Sequence, residues 1–572
     1  MARRKVALGT AVVAAVAVVG VGGLSNADAQ PVQGPSAAGT SMVVKEREAA
    51  TAAGRNDTPA TAQAVTGFGT KAGKAGTARI SGTLAAPKPT IVLPVGVEDN
   101  GSRTTAVDTR LTPGRVVRAS GTIGDGPHGT AGDSTGDFDF YVIRGATGGQ
   151  LLNVFVDTPG SDLQPALQYW NEGNTEGVAS PDKGSNLLTT PIETDGDAYI
   201  SIGGAGSRQA NPGDSGSGDG ASSEGTYTVT FALEAGDTDM YAVDLAAGDV
   251  FSAAVSGGAA QLQVFDTARK LAIGSTGTRL ASLLPKASPL ARGGNASLHH
   301  IAARPGRYFL AVSGGQGGYD VTTRVNRPGP EAKKAAQTIF IDLDGASVDP
   351  SVFDPEVTGV RTASPLSAFT SKWGITTAAG RNKLTDQIIA TVTENLQGDF
   401  AGTGSKVKIL NSRDHQDPFG KPNVSRIVIG GTEEELGVSG FLSQSVDPGN
   451  FATEETALVA PGRLADPSAG EFSLNTYLKT TSDREKFVGT AIGNIASHEA
   501  GHYLGLTHAG TFNATPNVML HGIEGPIFGV GPDNVGGTAD DVDLDYAAVP
   551  YGSDTGFTGI QDCPTRIRWA LS

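Results

Sequence analysis

The sequence predicts a multidomain protein, with two all-β (β-sandwich) domains followed by an α/β (α+β) domain. Three observations carry that expectation. Glycine and proline supply 80 and 31 of the 572 residues and only 18% are charged, which favours short strands joined by many turns. A strand motif beginning at Gly136 recurs one hundred residues later at Gly236. After residue 336 alternating strands give way to continuous apolar strands and apolar helical runs.

The first 29 residues read as a signal peptide. Arg3-Arg4-Lys5 forms a positive end, Val6 to Leu24 is small and apolar, and Ala27-Asp28-Ala29 is a cleavage site ahead of Gln30. A membrane anchor is the competing reading, because the apolar stretch nearly spans a bilayer. No comparable run follows, so the mature protein is expected to be secreted and to have no membrane partner after cleavage. Residues 30–55, rich in Ala, Gly, Ser and Gln, read as a disordered leader. The formal charge of −16 argues against nucleic acid as a partner. Cys563 is the only cysteine, which excludes an intrachain disulfide.

Asn56-Asp57-Thr58 opens a patterned region with two short echoes, Arg79 to Thr83 and Arg118 to Thr122. The repeat follows: Gly136-Asp137-Phe138-Asp139-Phe140-Tyr141, then Gly236-Asp237-Thr238-Asp239-Met240-Tyr241. Each copy continues through a glycine turn and a second alternating strand to a closing hairpin. These hairpins are Asp197–Ile202 with Gly225–Val229, and Gly306–Val312 with Gly318–Val321. Residues 207–224 form a Gly/Ser/Asp-rich insertion in the first copy. The expected domains are 56–234, a sandwich with an N-terminal extension, and 235–326, a second sandwich. The pairs Asp137/Asp139 and Asp237/Asp239 fit either calcium binding or aspartates starting a strand beside a turn. From the Asn56-Asp57-Thr58 opening to the closing Gly-x-Tyr hairpins, the repeats resemble the bacterial pre-peptidase C-terminal domain. That domain usually follows a secreted peptidase, whereas here the repeats stand in front.

Asn326 to Lys334 holds two prolines, so residues 327–335 read as a linker and 336–572 as a unit that folds separately. Thr338–Leu343, Val407–Leu410 and Ile427–Ile429 are apolar enough for buried strands, and Thr456–Ala460 suits an edge strand ended by Pro461-Gly462. Leu384–Leu396 is helical, with Ile388, Ile389 and Val392 on one face. Ser482 to Glu485 reads as a capping box for a helix ending near Leu504, and Asp562 as the N-cap of a closing helix.

That second helix ends in His498-Glu499-Ala500-Gly501-His502-Tyr503-Leu504-Gly505-Leu506-Thr507-His508, which holds three of the chain's eight histidines. Residues four apart share a helix face, so His498 and His502 point two imidazoles into one small volume, as zinc requires. On a continuing helix His508 would sit roughly 240° round and about 9 Å further on. Gly505 can take the left-handed conformation that ends the helix and turns His508 back. Glu499, one position round from His498, suits a base for water at the metal.

The extended pattern resembles the zinc signature of the metzincin metallopeptidases, over roughly residues 336–572 and chiefly within 498–519. The resemblance implies a metzincin-like zinc peptidase domain with one catalytic Zn2+ on His498, His502 and His508, and Met519 as the methionine turn. It further implies protein or peptide substrates, hydrolysed by water activated by Glu499. His521 lies where some metzincins place a tyrosine that binds the transition state; a surface histidine is the other reading. Asp533, Asp540 and Asp541 fit a Ca2+-stabilised loop or a plain polar turn equally. Two further classes stay open: an inactive surface-binding or adhesive protein with a relic zinc site, and a zinc hydrolase of non-peptide amides.

Overall fold

A computed structural model describes residues 41–48, 56–85, 91–94, 100–124, 136–148, 150–171, 178–179, 187–192, 194–205, 208–209, 211–219, 223–233, 237–510, 515–520, 524–552 and 555–572. The expected signal peptide, most of the leader and His521 lie outside them. The chain is a β-rich, multidomain protein built from several sheets and few helices. Among the described residues no helix is long and apolar enough to cross a membrane.

The first described residues are not a disordered leader. Ser41–Lys45 (β1) pairs in parallel with Thr77–Leu84 (β3), and Met42 and Val44 pack on a core. Alternation along β1 sends those two side chains inward, which the composition of the leader concealed. Gln63–Ala64 (β2) precedes β3.

The chain then leaves for a separate sandwich. Its strands begin with Ile91–Val92 (β4), Val107–Asp108 (β5), Arg115–Ile123 (β6), Phe138–Ala146 (β7), Leu151–Asp157 (β8) and Pro165–Asn171 (β9). Val178–Ala179 (β10), Leu187–Pro191 (β11), Gly196–Gly204 (β12), the small ribbon Arg208–Gln209 (β13) with Gly218–Asp219 (β14), and Gly225–Leu233 (β15) complete it. The two sheets run β10-β9-β12-β7-β5 and β11-β8-β15-β6-β4. Val117, Val154, Tyr169, Ile200, Val229 and Phe231 fill a core between them that belongs to this sandwich alone.

The return brings Asp239–Leu245 (β16), Val250–Phe265 (β17), Leu271–Ser275 (β18), Ala296–Ile301 (β19) and Gly306–Asn326 (β20). β20 pairs with β16 and β17 and also with β3, from Gly317 opposite Leu84 to Arg324 opposite Thr77. Residues 56–85, expected with the first sandwich, therefore belong to the second. The first sandwich is an insertion between β3 and β16. Each echo strand pairs with one closing hairpin, and sequence order alone does not say which.

Residues 327–335 are a packed corner rather than a linker. Gly329–Lys333 forms a short helix (α1), and Arg327 joins Asp249 at 2.9 Å to Glu331 at 2.6 Å. Gly329 N donates to Gly449 O at 2.8 Å, which fixes the corner on the third domain.

That domain opens with Thr338–Asp342 (β21), the ribbon Ser347–Val348 (β22) with Arg361–Thr362 (β23), and Ala378–Thr393 (α2). Lys408–Asn411 (β24), Val424–Ile429 (β25), Glu433–Leu436 (α3), Phe441–Ser443 (β26) and Thr456–Val459 (β27) follow. Pro461–Leu464 (α4), Arg484–Tyr503 (α5) and Glu524–Ile527 (α6) lead to Ala548–Pro550 (β28), Phe557–Asp562 (β29) and Cys563–Ala570 (α7). The sheet order is β24-β21-β25-β27-β26, parallel except at β26. β27 is thus internal, and the antiparallel edge is β26, too short a run to stand out in the sequence. Leu384, Ile388 and Val392 of α2 and Val488, Ile492 and Ile495 of α5 share the core with Ile339, Ile341, Ile427 and Ile429.

The third domain is not separate. β29 pairs with β18 of the second sandwich, and Val446, Tyr551 and Phe557 lie in that sandwich's core.

Candidate metal centre

Helix α5 starts one residue later than its sequence suggests. Asp483 is the N-cap and accepts from Lys486 N at 3.2 Å, while the Ser482 hydroxyl is taken by Lys479 N at 2.9 Å. The helix ends as Gly505 predicts, with a φ of 99°. Gly505 N donates to His502 O (2.8 Å) and Leu506 N to Gly501 O (2.9 Å), the paired bonds of a Schellman turn. A Cβ at Gly505 would meet Pro448 Cα at 2.6 Å, so glycine is required by contact as well as by backbone angle.

The turn brings the three histidines together. Ring centroids are 4.8 Å apart for His498–His502, 5.0 Å for His502–His508 and 5.5 Å for His498–His508. His498 Nδ1 donates to Val518 O at 2.8 Å and His502 Nδ1 to Leu506 O at 2.9 Å, because a carbonyl can only accept. In the neutral rings both Nε2 atoms then carry lone pairs, yet they stand 3.1 Å apart. Two lone pairs so placed need a positive charge between them. Nitrogens at 2.0–2.1 Å on a tetrahedral zinc lie about 3.3 Å from one another. One ligand atom from each histidine falls within 4.8 Å of the others, so this cluster can hold a metal ion.

Glu499 is 6% exposed, and no described residue hydrogen-bonds it. Burial pushes its carboxyl up to about 8; a cation at the histidines would oppose that by favouring the carboxylate. Met519 is fully buried beneath the helix, where a Cβ at Gly501 would meet its sulfur at 2.6 Å. Asn517 shapes this turn by accepting from Met519 N at 2.6 Å, and Val518, between them, holds His498. The sequence flagged Met519 but not the backbone at Val518, whose role no side chain announces.

The acidic residues separate into three groups. Asp533, Asp540 and Asp541 accept from backbone or hydroxyl donors of their own loop, as turn-forming aspartates do, and they are not among the metal-sized clusters of the described residues. In the second sandwich Glu46, Glu48 and Asp239 come within metal-binding reach. Buried oxygens of Glu46, Asp237 and Asp239 have no hydrogen-bond partner, and neither polar atom of Asn56 has one, though Asn56 is only 5% exposed. Burial pushes Asp237 up to about 6, and burial with Glu46 beside it holds Asp239 well above the usual carboxylate range. Glu46 accepts from Thr83 N, Asp237 from Ala85 N and Asp239 from the Tyr319 hydroxyl, but among the described residues none of the three has an ion-pair partner. The sequence marks Asn56 only as the opening of the patterned region and does not mark Glu46; a Glu-x-Glu pair just after a strand is the signal that was available. A third group, Glu394, Asp399 and Asp545, is largely exposed.

No known protein family and no curated protein sequence matches the chain. Among solved structures it is similar to the Salmonella Typhimurium periplasmic inhibitor of g-type lysozyme, PliG. The identity is 16%, covering 22% of this chain and 96% of that one, with a TM-score of 0.14. The Aeromonas hydrophila PliG gives 13% identity, 22% and 95% coverage, and a TM-score of 0.16. The IMPa metallopeptidase in complex with T-antigen gives 14% identity, 49% and 35% coverage, and a TM-score of 0.11. Likeness at this level carries no inference about the chain.

Proposed function

We propose that the chain is an exported, zinc-dependent endopeptidase of metzincin type, with Glu499 as general base. The observation that supports this best is the convergence of three imidazoles beside a buried carboxylate that no described residue engages. His498 and His502 would hold zinc through Nε2, with His508 as third ligand. Zinc bound there supplies polarisation of a substrate carbonyl and activation of water at neutral pH. Glu499 takes a proton from the attacking water on its carboxylate and returns it to the departing amine nitrogen. The edge strand β26 is antiparallel and packs beside α5, so its free side suits an extended peptide lying along the sheet.

Glu499→Gln tests this reading, since it keeps size and shape and removes the proton acceptor. The variant is expected to bind zinc as wild type does and to lose at least about two orders of magnitude of peptidase activity on an unfolded protein substrate. Full activity with zinc bound would falsify the assignment of Glu499 as base.

A calcium ion in the second sandwich belongs to the same proposal, held by Glu46, Glu48 and Asp239 with Asn56 aimed at the cluster. Among the described residues the first sandwich brings no such set together. Its β4 register, with Val92 opposite Arg118 where β1 has Val43 opposite Arg79, puts Val95 and Val97 at the sequence positions of Glu46 and Glu48. Calorimetry should therefore count one calcium per chain, and none after Glu46→Gln with Glu48→Gln.

A further inference from the structure

The third imidazole is carried by a sheet that begins in the second sandwich. β29 pairs with β18 through Ser275 opposite Phe557, Gly274 opposite Thr558 and Ile273 opposite Gly559. Its other half pairs with β28 through Pro550 opposite Ile560, Val549 opposite Gln561 and Ala548 opposite Asp562. Beyond β28 the ladder continues into the ligand segment. Gly510 N donates to Pro550 O and Gly552 N to His508 O, each at 2.9 Å, and Ala509 bridges Tyr551. On its far side Ala509 N donates to Met519 O at 2.7 Å. His508 thus stands in a segment with partners on both flanks, and one flank leads back to β18.

Gln561 acts closer still. Its side chain is fully buried, and its Oε1 accepts from Thr507 N at 2.9 Å and from Thr507 Oγ1 at 3.0 Å. Its Nε2 donates to Thr507 O at 2.7 Å. One amide meets the N–H and the C=O of a single residue, as a neighbouring strand would. That residue lies between the two ligand fixings. Leu506 O orients His502, Thr507 is clamped, and His508 follows. Without the amide, two buried backbone groups of Thr507 lose their partner, which is costly enough to make the segment rearrange.

We propose that Gln561 is a positioning residue for His508, and that the second sandwich fixes its place through β29. This rests on the metal centre proposed above. The alternative is that Gln561 merely stabilises the fold, which would leave the metal unaffected.

The test uses full-length wild type, Gln561→Leu, Gln561→Glu, His508→Ala and the double variant Gln561→Leu/His508→Ala. Zinc affinity is read by chelator competition and ligand geometry by the visible bands of the cobalt(II) form. Gln561→Leu should weaken zinc about 10–100-fold, the usual effect of removing a group that orients a ligand. Its cobalt spectrum should move towards that of His508→Ala. The double variant should bind no more weakly than His508→Ala alone, because no ligand remains for Gln561 to place. If Gln561→Leu does not fold, Gln561→Glu, which keeps the accepting oxygen and loses the donated bond, carries the same comparison with a smaller loss. Unchanged zinc affinity, or a double variant whose loss is the product of the single losses, overturns the positioning role. For the sandwich, Gly559→Val strains the join to β18, since Gly559 has a φ of 101° and a Cβ there would meet Ala272 O at 2.7 Å. It should weaken zinc several-fold, and wild-type affinity would overturn that part. A wild type that binds neither metal, with every variant alike, rejects the metal centre itself.

Discussion

Expressed alone, residues 336–572 are expected to lose most of their stability, because three of their apolar side chains complete another core. Val446, Tyr551 and Phe557, each 6% exposed, sit among Phe251, Val264, Ile273 and Leu298 of the second sandwich. Stripping that sandwich away exposes them. At roughly 1.5–3 kcal/mol for each large apolar side chain, the loss is about 5–9 kcal/mol, before Phe451 and Trp569 are considered. A domain is usually stable by only about 5–15 kcal/mol, so the loss is comparable with the whole. The opposite cut should be harmless. The first sandwich has its own core, and Ala85 N donates to Asp237 at 2.5 Å, so the ends of the insertion are already in contact. Replacing residues 86–236 by a short Gly/Ser link is expected to give a soluble protein with wild-type zinc affinity, and 336–572 to give aggregates or a molten species. Urea unfolding, near-ultraviolet circular dichroism and chelator competition compare the two. A cooperative, zinc-binding 336–572 would refute the reasoning.

Two further outcomes follow from single residues. Gly505→Ala places a side chain at a φ of 99° and against Pro448, which costs about 1–2 kcal/mol for the backbone and about 1–3 kcal/mol for the overlap. It should also weaken zinc, since the same turn delivers His508; destabilisation below about 1 kcal/mol in urea would contradict the geometry. His299 lies buried and His300 half-buried near Arg566, with Phe557 and Tyr308 against their rings. Burial, and then the charge of Arg566, hold His300 down to about 3 and His299 well below its usual range. At these two sites the native state binds fewer protons than the unfolded chain, so their contribution to stability is intact above about pH 6.5 and is lost as pH drops towards 3, against the opposite contribution of buried carboxyls such as Asp237 and Glu499. The loss on acidification should be smaller in His299→Gln/His300→Gln than in wild type; urea midpoints of the two that fall in parallel from about pH 7 to pH 4 would exclude this.

How much was legible in the sequence followed the range of the interaction. The histidine cluster rests on spacings of four and six residues within one helix and its turn, and Gly505 signals that turn by itself. The strands of both sandwiches show through alternation, and Asp562 caps its helix as read, accepting from Thr565 N at 3.0 Å. Boundaries set by distant pairing were not legible. Arg79 to Thr83 and Arg118 to Thr122 are nearly the same pentapeptide, and only contact shows that the first pairs with β20 and the second with β15. Gln561 carries no signal at all, because its role depends on Thr507 arriving opposite it in space. Ser482 reads as the cap by its spacing to Glu485, but the turn at Lys479 takes its hydroxyl and Asp483 caps the helix instead.

The duplication separates what the sandwich frame needs from what one copy adds to it. In both copies an aspartate, two tyrosines and a glycine form one buried cluster. Tyr319 donates to Asp239 and meets Tyr241, each at 2.6 Å; Tyr227 likewise donates to Asp139 and meets Tyr141 at 2.8 Å. Opposite them a Cβ on Gly82 or Gly121 would strike the tyrosine hydroxyl, so both echo strands keep glycine for the same reason. The outer aspartates are held alike too, by Ala85 N and by Gly124 N. A frame that works twice with tyrosine donors does not need Glu46 or Glu48. Burial raises the protonation of Asp239 and Glu46 beside it raises it further, while Glu48 acts in the same sense on Asp237, a cost beyond the single bond that Glu46 accepts from Thr83 N. The copy that bears this cost is also the one that receives β29, whose Gln561 accepts from Thr507 N beside His508. The acidic rim thus lies in the unit that pairs with β29, and under the proposed positioning role a cation bound there would strengthen the support of His508.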